Sequence, residues 1–401
     1  MRWLSIIGIG EDGIEGLSPA ARALISGASQ VIGGARHIAL AGTLIKGEAL
    51  AWPSPMTDAL NGLRARAGTP TVVLASGDPF CYGIGSLIAA HVPADDMLVI
   101  PAPSAFSLAA ARLGWALQAV RTISFCGRPI EPLAPLLQPG TRIFALSADA
   151  TTPGKVAAYL RQHGFGPTRI HVLEALGGPD ERLRSMTADD FDITDAGPLN
   201  MLALEVVAGP DARIIPLASG LDDDMFEHDG QITKREIRAV TLSALAPRVG
   251  ELLWDIGGGS GSISIEWLLR DSRNRAIAIE PKAERAARAA RNAVSLGVPH
   301  LDVRTGKAPE AFDGLPTPDA IFIGGGTTGN GVIGGAWMAL RPGGRIVANS
   351  VTIETDAALT QAMQRFGGTL TRISIERLDK IGTLHGFRPA MTVTQWQAVK
   401  P

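Results

Sequence analysis

Short apolar runs alternate with alanine-rich amphipathic stretches along the chain, the pattern of strands interleaved with helices. In the first half, Trp3–Ile9, Thr71–Ala75, Met97–Ile100, Thr122–Phe125 and Arg142–Leu146 predict strands. Helices are expected over Pro19–Gly27, Thr57–Ala67, Gly83–Ala90 and Ser104–Leu113. Arg169–Leu173 and Leu199–Val207 predict further strands that close a second sheet, and a break near residue 120 implies two subdomains with a cleft between them. The polar stretch Ala218–Asp224 has no apolar period and marks a domain edge. It places the domains at 1–215 and 229–401, with 216–228 as linker.

The second half is more regular. Thr233-Lys234-Arg235-Glu236 has the spacing of a capping box opening a helix through Ala246. Strands are expected at Leu252–Asp255, Ala276–Glu280, Asp302–Thr305, Ala320–Ile323 and Arg345–Asn349. Helices fall between them at Ile263–Arg270, Lys282–Leu296, Ile333–Leu340 and, last, Thr355–Phe366. This alternation predicts a doubly wound α/β sheet. Thr371–Glu376 and Met391–Gln397 are expected as antiparallel edge strands.

Composition narrows the function. At 401 residues, 46% hydrophobic and 19% charged, the chain can bury two or three cores. A formal net charge of -2 and few aromatic residues exclude the basic, stacking surface of a dedicated nucleic-acid binder. Anionic ligands must then be met by local arginines. The two cysteines, Cys81 and Cys126, lie far apart, and the histidines show no H-x-x-x-H spacing, so neither a disulfide framework nor a metal site is expected. No apolar run is long enough to span a bilayer, and Glu11 and Asp12 interrupt the N-terminal run too early for a signal peptide. A cytoplasmic location without membrane partners is expected.

The second half carries Asp255-Ile256-Gly257-Gly258-Gly259-Ser260-Gly261 at a strand-to-helix turn. Its glycines let backbone approach a ligand at a helix N-terminus. A dinucleotide loop requires a glycine at position 262, which is Ser262. The observed G-x-G-x-G after an acid is the spacing of S-adenosylmethionine-dependent methyltransferases. Glu280 ends the next strand, where an acid accepts hydrogen bonds from ribose hydroxyls. In the first half, Gly8-Ile9-Gly10, Ser76-Gly77-Asp78-Pro79 and Pro101-Ala102-Pro103-Ser104 each follow a strand. Singly they are turn signals, but ligands collect where such strand ends meet.

Residues 228–355 resemble the decarboxylating precorrin methyltransferases of cobalamin biosynthesis. The likeness rests on Gly230–Glu236, Asp255–Gly261, Gly306-Lys307-Ala308-Pro309-Glu310, Ile321–Gly326 and Gly343–Asn349. It implies that Thr233, Gly257, Gly258, Gly259, Ser260, Gly261, Glu280 and Ala308 line a cofactor site. Related loops often carry threonine where this chain has Gly258-Gly259. Residues 1–210 resemble the tetrapyrrole methylase family, whose cofactor lies folded between two subdomains. Through the three loops and Glu174–Glu181, that resemblance implies Gly10, Asp78, Cys81, Ser104 and Ala105 as cofactor-binding. The family's usual glycine-proline-glycine is here Gly10-Glu11-Asp12-Gly13.

Together the resemblances imply methylation of an anionic tetrapyrrole, precorrin-6Y, at carbons 5 and 15 with loss of the carbon-12 acetate carboxylate. They also imply one S-adenosylmethionine per domain, and a homo-oligomer is expected. Electron-rich meso carbons can attack the methyl sulfonium directly, so alignment is the main demand and no catalytic acid or base is assigned. Arg36, Arg112, Arg128, Lys234, Arg235 and Arg377 are candidate partners for substrate carboxylates, although any single one can be an ordinary solvated cation. Two alternatives stay open: a methyltransferase for another small molecule or RNA, with the first half as recognition module, and a non-catalytic tetrapyrrole carrier.

Overall fold

A computed structural model describes residues 2–53, 60, 62–326 and 329–401. They form two compact units, 1–130 with 138–213, and 131–137 with 214–401.

The first unit holds two sheets. Strands β1 (Leu4–Ile9), β2 (Gln30–Gly33), β3 (Glu48–Ala51), β4 (Thr71–Ser76) and β5 (Met97–Ile100) form a parallel sheet ordered β3-β2-β4-β1-β5. Helices α1 (Pro19–Gly27), α2 (Ala35–Ala41), α3 (Ile84–Ile88) and α4 (Ala105–Leu113) connect them. Both faces of the sheet are covered, by a cluster around Leu4, Ile6 and Val73 and another around Ile7, Ile25 and Leu74, as parallel sheets require. Ser18 and Ser104 cap α1 and α4, accepting from Ala21 N–H at 3.2 Å and Ser107 N–H at 3.1 Å. Of the helix expected over Thr57–Ala67, residues 57–59 and 61 lie outside the described residues, and Arg64–Arg66 form a 3-10 turn.

Strands β6 (Val120–Ser124), β7 (Arg142–Leu146), β8 (Arg169–Glu174), β9 (Arg182–Thr187) and β10 (Asn200–Glu205) form the second sheet, ordered β6-β7-β10-β8-β9, with α5 (Thr152–Gln162) between β7 and β8. Only β6–β7 is parallel.

The second unit contains β11 (Leu252–Ile256), β12 (Arg275–Glu280), β13 (Asp302–Thr305), β14 (Ala320–Ile323), β15 (Arg345–Ser350), β16 (Thr369–Ile373) and β19 (Val393–Val399). Their order is β13-β12-β11-β14-β15-β19-β16. The first five are parallel, and β19 runs antiparallel to both β15 and β16. Thus the strand expected at an edge over Met391–Gln397 forms as Val393–Val399 and sits inside the sheet, with Val393, Thr394, Gln395 and Trp396 buried. Helices α6 (Arg235–Leu245), α7 (Ser262–Leu268), α8 (Ala283–Ser295), α9 (Val332–Ala339) and α10 (Ile353–Phe366) complete the layers, and β17 (Glu376–Ile381) with β18 (Leu384–Pro389) makes a separate hairpin. The strand order reverses between β11 and β14, and at such a point crossovers leave a crevice beyond the strand ends.

Two expectations need correction. The capping box does not form: Lys234 is the N-cap of α6 and no side chain caps the helix. The N-cap falls one residue after Thr233, and the Glu236 carboxylate that the box would use pairs with Arg377. The segment 216–228, expected as a linker, is anchored in the second unit. Gly220 and Leu221 N–H donate to Glu266 at 2.7 and 2.9 Å, Arg238 binds the same buried carboxylate, and Leu221 and Phe226 are buried. Its polar composition hid these few anchoring contacts.

Candidate active sites

In the first unit the loops after β1, β4 and β5 are stitched together. Gly77 N–H donates to the Ile9 carbonyl and Ala102 N–H to the Gly77 carbonyl, each at 3.1 Å. The approach is so close that a Cβ on Gly8 would stand 1.9 Å from the Gly77 oxygen. The junction opens on a cavity of about 480 Å³ that draws walls from both sheets. Gly10, Asp78, Cys81, Ser104 and Ala105, the residues expected from sequence, all line it.

Asp78 accepts from Phe80 N–H at 2.8 Å, which fixes the loop. Burial pushes the Cys81 thiol up, and the charge of Asp78 adds to this, so it stays protonated at neutral pH. His37 Nδ1, Ser147 Oγ and Asn200 Oδ1 are buried without a partner among the described residues, and all three side chains line the cavity. An unpaired buried polar atom costs about 1–3 kcal/mol. Three of them converging on one cavity fit a polar ligand there. Arg36 also lines it, paired with Glu11 and donating to Ser76 Oγ at 2.9 Å. Burial, with Arg36 adding, holds the neighbouring His37 down to about 4, so its ring is neutral.

In the second unit β11 runs into the glycine loop, and Gly257 and Gly258 N–H both donate to the Ile279 carbonyl, at 2.9 and 3.1 Å. Gly257 has φ +75°, and a Cβ there would lie 2.8 Å from Gly325 N. The loop, the end of β12 and the β13 and β14 loops bound a cavity of about 1060 Å³. Thr233, Gly257, Gly258, Gly259, Ser260, Glu280 and Ala308 line it. Gly261 does not: it opens α7, where a Cβ would meet Ala289 of α8 at 3.1 Å.

Glu280 accepts from Gly259 N–H through one oxygen and from Lys282 N–H through the other, each at 3.0 Å. A carboxylate has about four acceptor positions, so two remain for hydroxyl donors. Asp255 accepts from Ser264 N–H at 3.2 Å and Oγ–H at 2.7 Å. Its other oxygen and Ser260 Oγ are buried without a partner among the described residues. Burial, reinforced by the charge of Glu280, pushes Asp255 up to about 6.

Of the candidate cations, Arg36 lines the first cavity and Lys234 and Arg377 line the second, joined there by Lys282, Arg285 and Lys307. Arg128 lies over the ring of Tyr82, which lines the first cavity, 5.5 Å from its centroid. Arg112 is taken by Glu181 at 2.9 Å and Arg235 by Asp222 at 2.6 Å, and neither lines a cavity. Among the described residues no group of three His, Cys, Asp or Glu side chains forms a metal-ligand set, and no helix is long and apolar enough to cross a membrane.

Residues 4–192 match the tetrapyrrole (corrin/porphyrin) methylases, and residues 224–400 match the precorrin methyltransferase domain. A precorrin-6Y C(5,15)-methyltransferase (decarboxylating) from a Sinorhizobium species is 54% identical over 398 residues, 99% of this chain and 96% of that protein. The chain belongs to this decarboxylating methyltransferase family. Use of S-adenosylmethionine follows from membership. Shorter relatives exist as well. A probable cobalt-precorrin-6B C(15)-methyltransferase (decarboxylating) from Pyrobaculum calidifontis is 37% identical over 44% of this chain and 95% of its own length. A cobalt-precorrin-7 C(5)-methyltransferase from Salmonella typhimurium is 32% identical over 45% of this chain and 88% of its own.

Sequence reasoning missed His37, Ser147, Asn200 and Arg285. Asn200 opens a strongly apolar strand, a polar residue at a strand end that could have been noticed. His37 and Ser147 carry no local spacing signal, because they meet the cavity only through tertiary packing.

Proposed function

We propose that this chain methylates precorrin-6Y at carbons 5 and 15 and removes the carboxylate of its carbon-12 acetate, giving precorrin-8 for cobalamin biosynthesis. One S-adenosylmethionine site serves each unit. The observation that carries the reading is the pair of separate cavities, each lined by its own glycine-bearing strand-end loops and each presenting unpaired buried polar atoms. The shorter relatives support it, because their names divide the C(5) and the C(15) decarboxylating activities between two proteins.

The cofactor supplies an electrophilic methyl on a sulfonium. In the second unit Glu280 would accept the ribose hydroxyls, and the glycine loop leaves space for the backbone to approach the amino-acid portion. In the first unit Asp78, Cys81, Ser104 and Ala105 would hold the cofactor against the loops, with Ser147 and Asn200 supplying hydrogen bonds from the second sheet. The protein's task is to hold a meso carbon in line with the methyl, which needs position more than acid or base strength. Loss of carbon dioxide needs an electron sink, and a protonated ring imine of the substrate provides one without a metal. We assign the C(15) methylation and decarboxylation to residues 229–401 and the C(5) methylation to residues 1–215. Titration of S-adenosylhomocysteine into the full-length protein tests the cofactor reading: two binding events per chain are expected, and a single event contradicts it.

A further inference from the structure

We infer that Asn349 is a substrate-contacting residue of the second unit, a neutral amide donor for a carboxylate oxygen of the macrocycle, and that Thr241 and Gln395 are the residues that aim it. The inference rests on the proposed reaction and adds the substrate half of that site.

Asn349 is the penultimate residue of β15, after the apolar run Ile346-Val347-Ala348, and lines the cavity. Asparagine is depleted in strands, so packing alone does not favour it there. Below it sits a polar trio drawn from three elements. Gln395, its cross-strand partner on β19, donates one amide proton to Asn349 Oδ1 at 3.0 Å and the other to Thr241 Oγ1 at 3.2 Å. Asn349 Nδ2 donates to the same Thr241 oxygen at 2.8 Å. Thr241 is fully buried on α6 and Gln395 is 4% exposed. Both Gln395 protons are consumed and the Asn349 amide is held in one orientation, leaving one Nδ2–H without a partner among the described residues. Asn349, unlike the other two, is only half-buried. A buried polar network is costly where it is incomplete, and here the open position is the one at the cavity.

The placement separates this donor from the cofactor cradle. The glycine loop, Glu280 and Ala308 follow β11, β12 and β13, on one side of the switch point. Asn349 lies on the other side, two strands from β11, about 10 Å at the usual strand spacing. Ile375, Arg377, Met391 and Val393, from the chain between β16 and the first residue of β19, line the same cavity. A large ring edged with carboxylates matches that lining, whereas the cofactor is already provided for by the other half. A neutral donor fixes the ring's orientation without adding charge near the sulfonium.

The test uses full-length protein with precorrin-6Y and, separately, S-adenosylhomocysteine. Asn349→Asp keeps the shape but opposes a carboxylate with a carboxylate. Its KM for precorrin-6Y in C(15) methylation should rise about ten-fold or more, while kcat changes little, because the lost interaction is made equally in ground and transition states. S-adenosylhomocysteine affinity should stay within about two-fold of wild type, which also reports that the site is folded. Thr241→Val should raise KM less, and Thr241→Ser, which restores the hydroxyl, should return it to wild type. Unchanged KM in folded Asn349→Asp overturns the inference, as does a loss of S-adenosylhomocysteine affinity, which would make Asn349 a cofactor ligand. Failure of Thr241→Ser to rescue overturns the positioning role. Wild-type protein that binds S-adenosylhomocysteine yet leaves precorrin-6Y unmethylated overturns the proposed reaction and this inference with it.

Discussion

Glu280 and Asp255 line the same cavity with different hydrogen-bond partners. Glu280 already holds Gly259 and Lys282 N–H groups, so it shapes the loop as well as lining the cavity. Replacing it with Ala removes both roles. The affinity of the second unit for S-adenosylhomocysteine should fall about ten-fold or more, with the first unit's binding unchanged; calorimetry on the full chain reads both. Asp255 is raised from 3.8 to about 6 by burial. The folded state therefore binds the proton more tightly than the unfolded chain does, and stability falls as pH rises from about 4 to about 6. Above that window the buried charge costs about 3 kcal/mol, taking 1.36 kcal/mol per pKa unit. Asp255→Asn should therefore melt higher than wild type at pH 8, with the advantage fading below pH 4, and should bind S-adenosylhomocysteine more weakly. A variant that melts lower at pH 8 would show that the charge is better compensated than its surroundings indicate.

Both cavities depend on strand-end loops that tolerate no side chain at particular points. Gly257→Ala would drive a Cβ to 2.8 Å from the Gly325 backbone at φ +75°, so the β11 and β14 loops must part. S-adenosylhomocysteine binding in the second unit should be lost while far-UV circular dichroism is retained; full binding would mean the loop yields easily. These loops were legible because glycine and an acid at fixed spacing after an apolar run encode a backbone shape locally. Met97–Ile100, Arg142–Leu146 and Ala320–Ile323 coincide with the observed strands because a short apolar run is likewise a local signal, and Asp302–Thr305 coincides as well. Other elements were not legible. α5 carries Pro153 and Gly154, and β9 is largely polar. β9 pairs at the edge of its sheet and sends Arg182 and Arg184 onto the buried Glu174, at 2.8 and 3.1 Å. Its residues answer a partner distant in sequence, not a hydrophobic period. The hairpin β17–β18 likewise has no single buried face for a pattern to reveal.

At the scale of the whole chain, two unrelated sheet topologies each carry strand-end loops around a cavity of their own, which is the basis for proposing two independent methyl-transfer sites on one polypeptide. The segment 216–228 belongs with the second of them through Glu266 and Arg238, so a cut at Gly220 should leave a less stable C-terminal fragment than a cut after Arg213. Thermal melting of the two fragments checks this, and equal stability would deny the anchor. The central claim is best tested by mass spectrometry of the products formed from precorrin-6Y and S-adenosylmethionine by wild type and by Gly257→Ala. Wild type should add two methyl groups and release one carbon dioxide. Gly257→Ala should do neither C(15) methylation nor decarboxylation, yet should still methylate carbon 5 of the intermediate that has already undergone both. Loss of the carbon-5 activity in that folded variant, or retention of all activities, would contradict two independent sites.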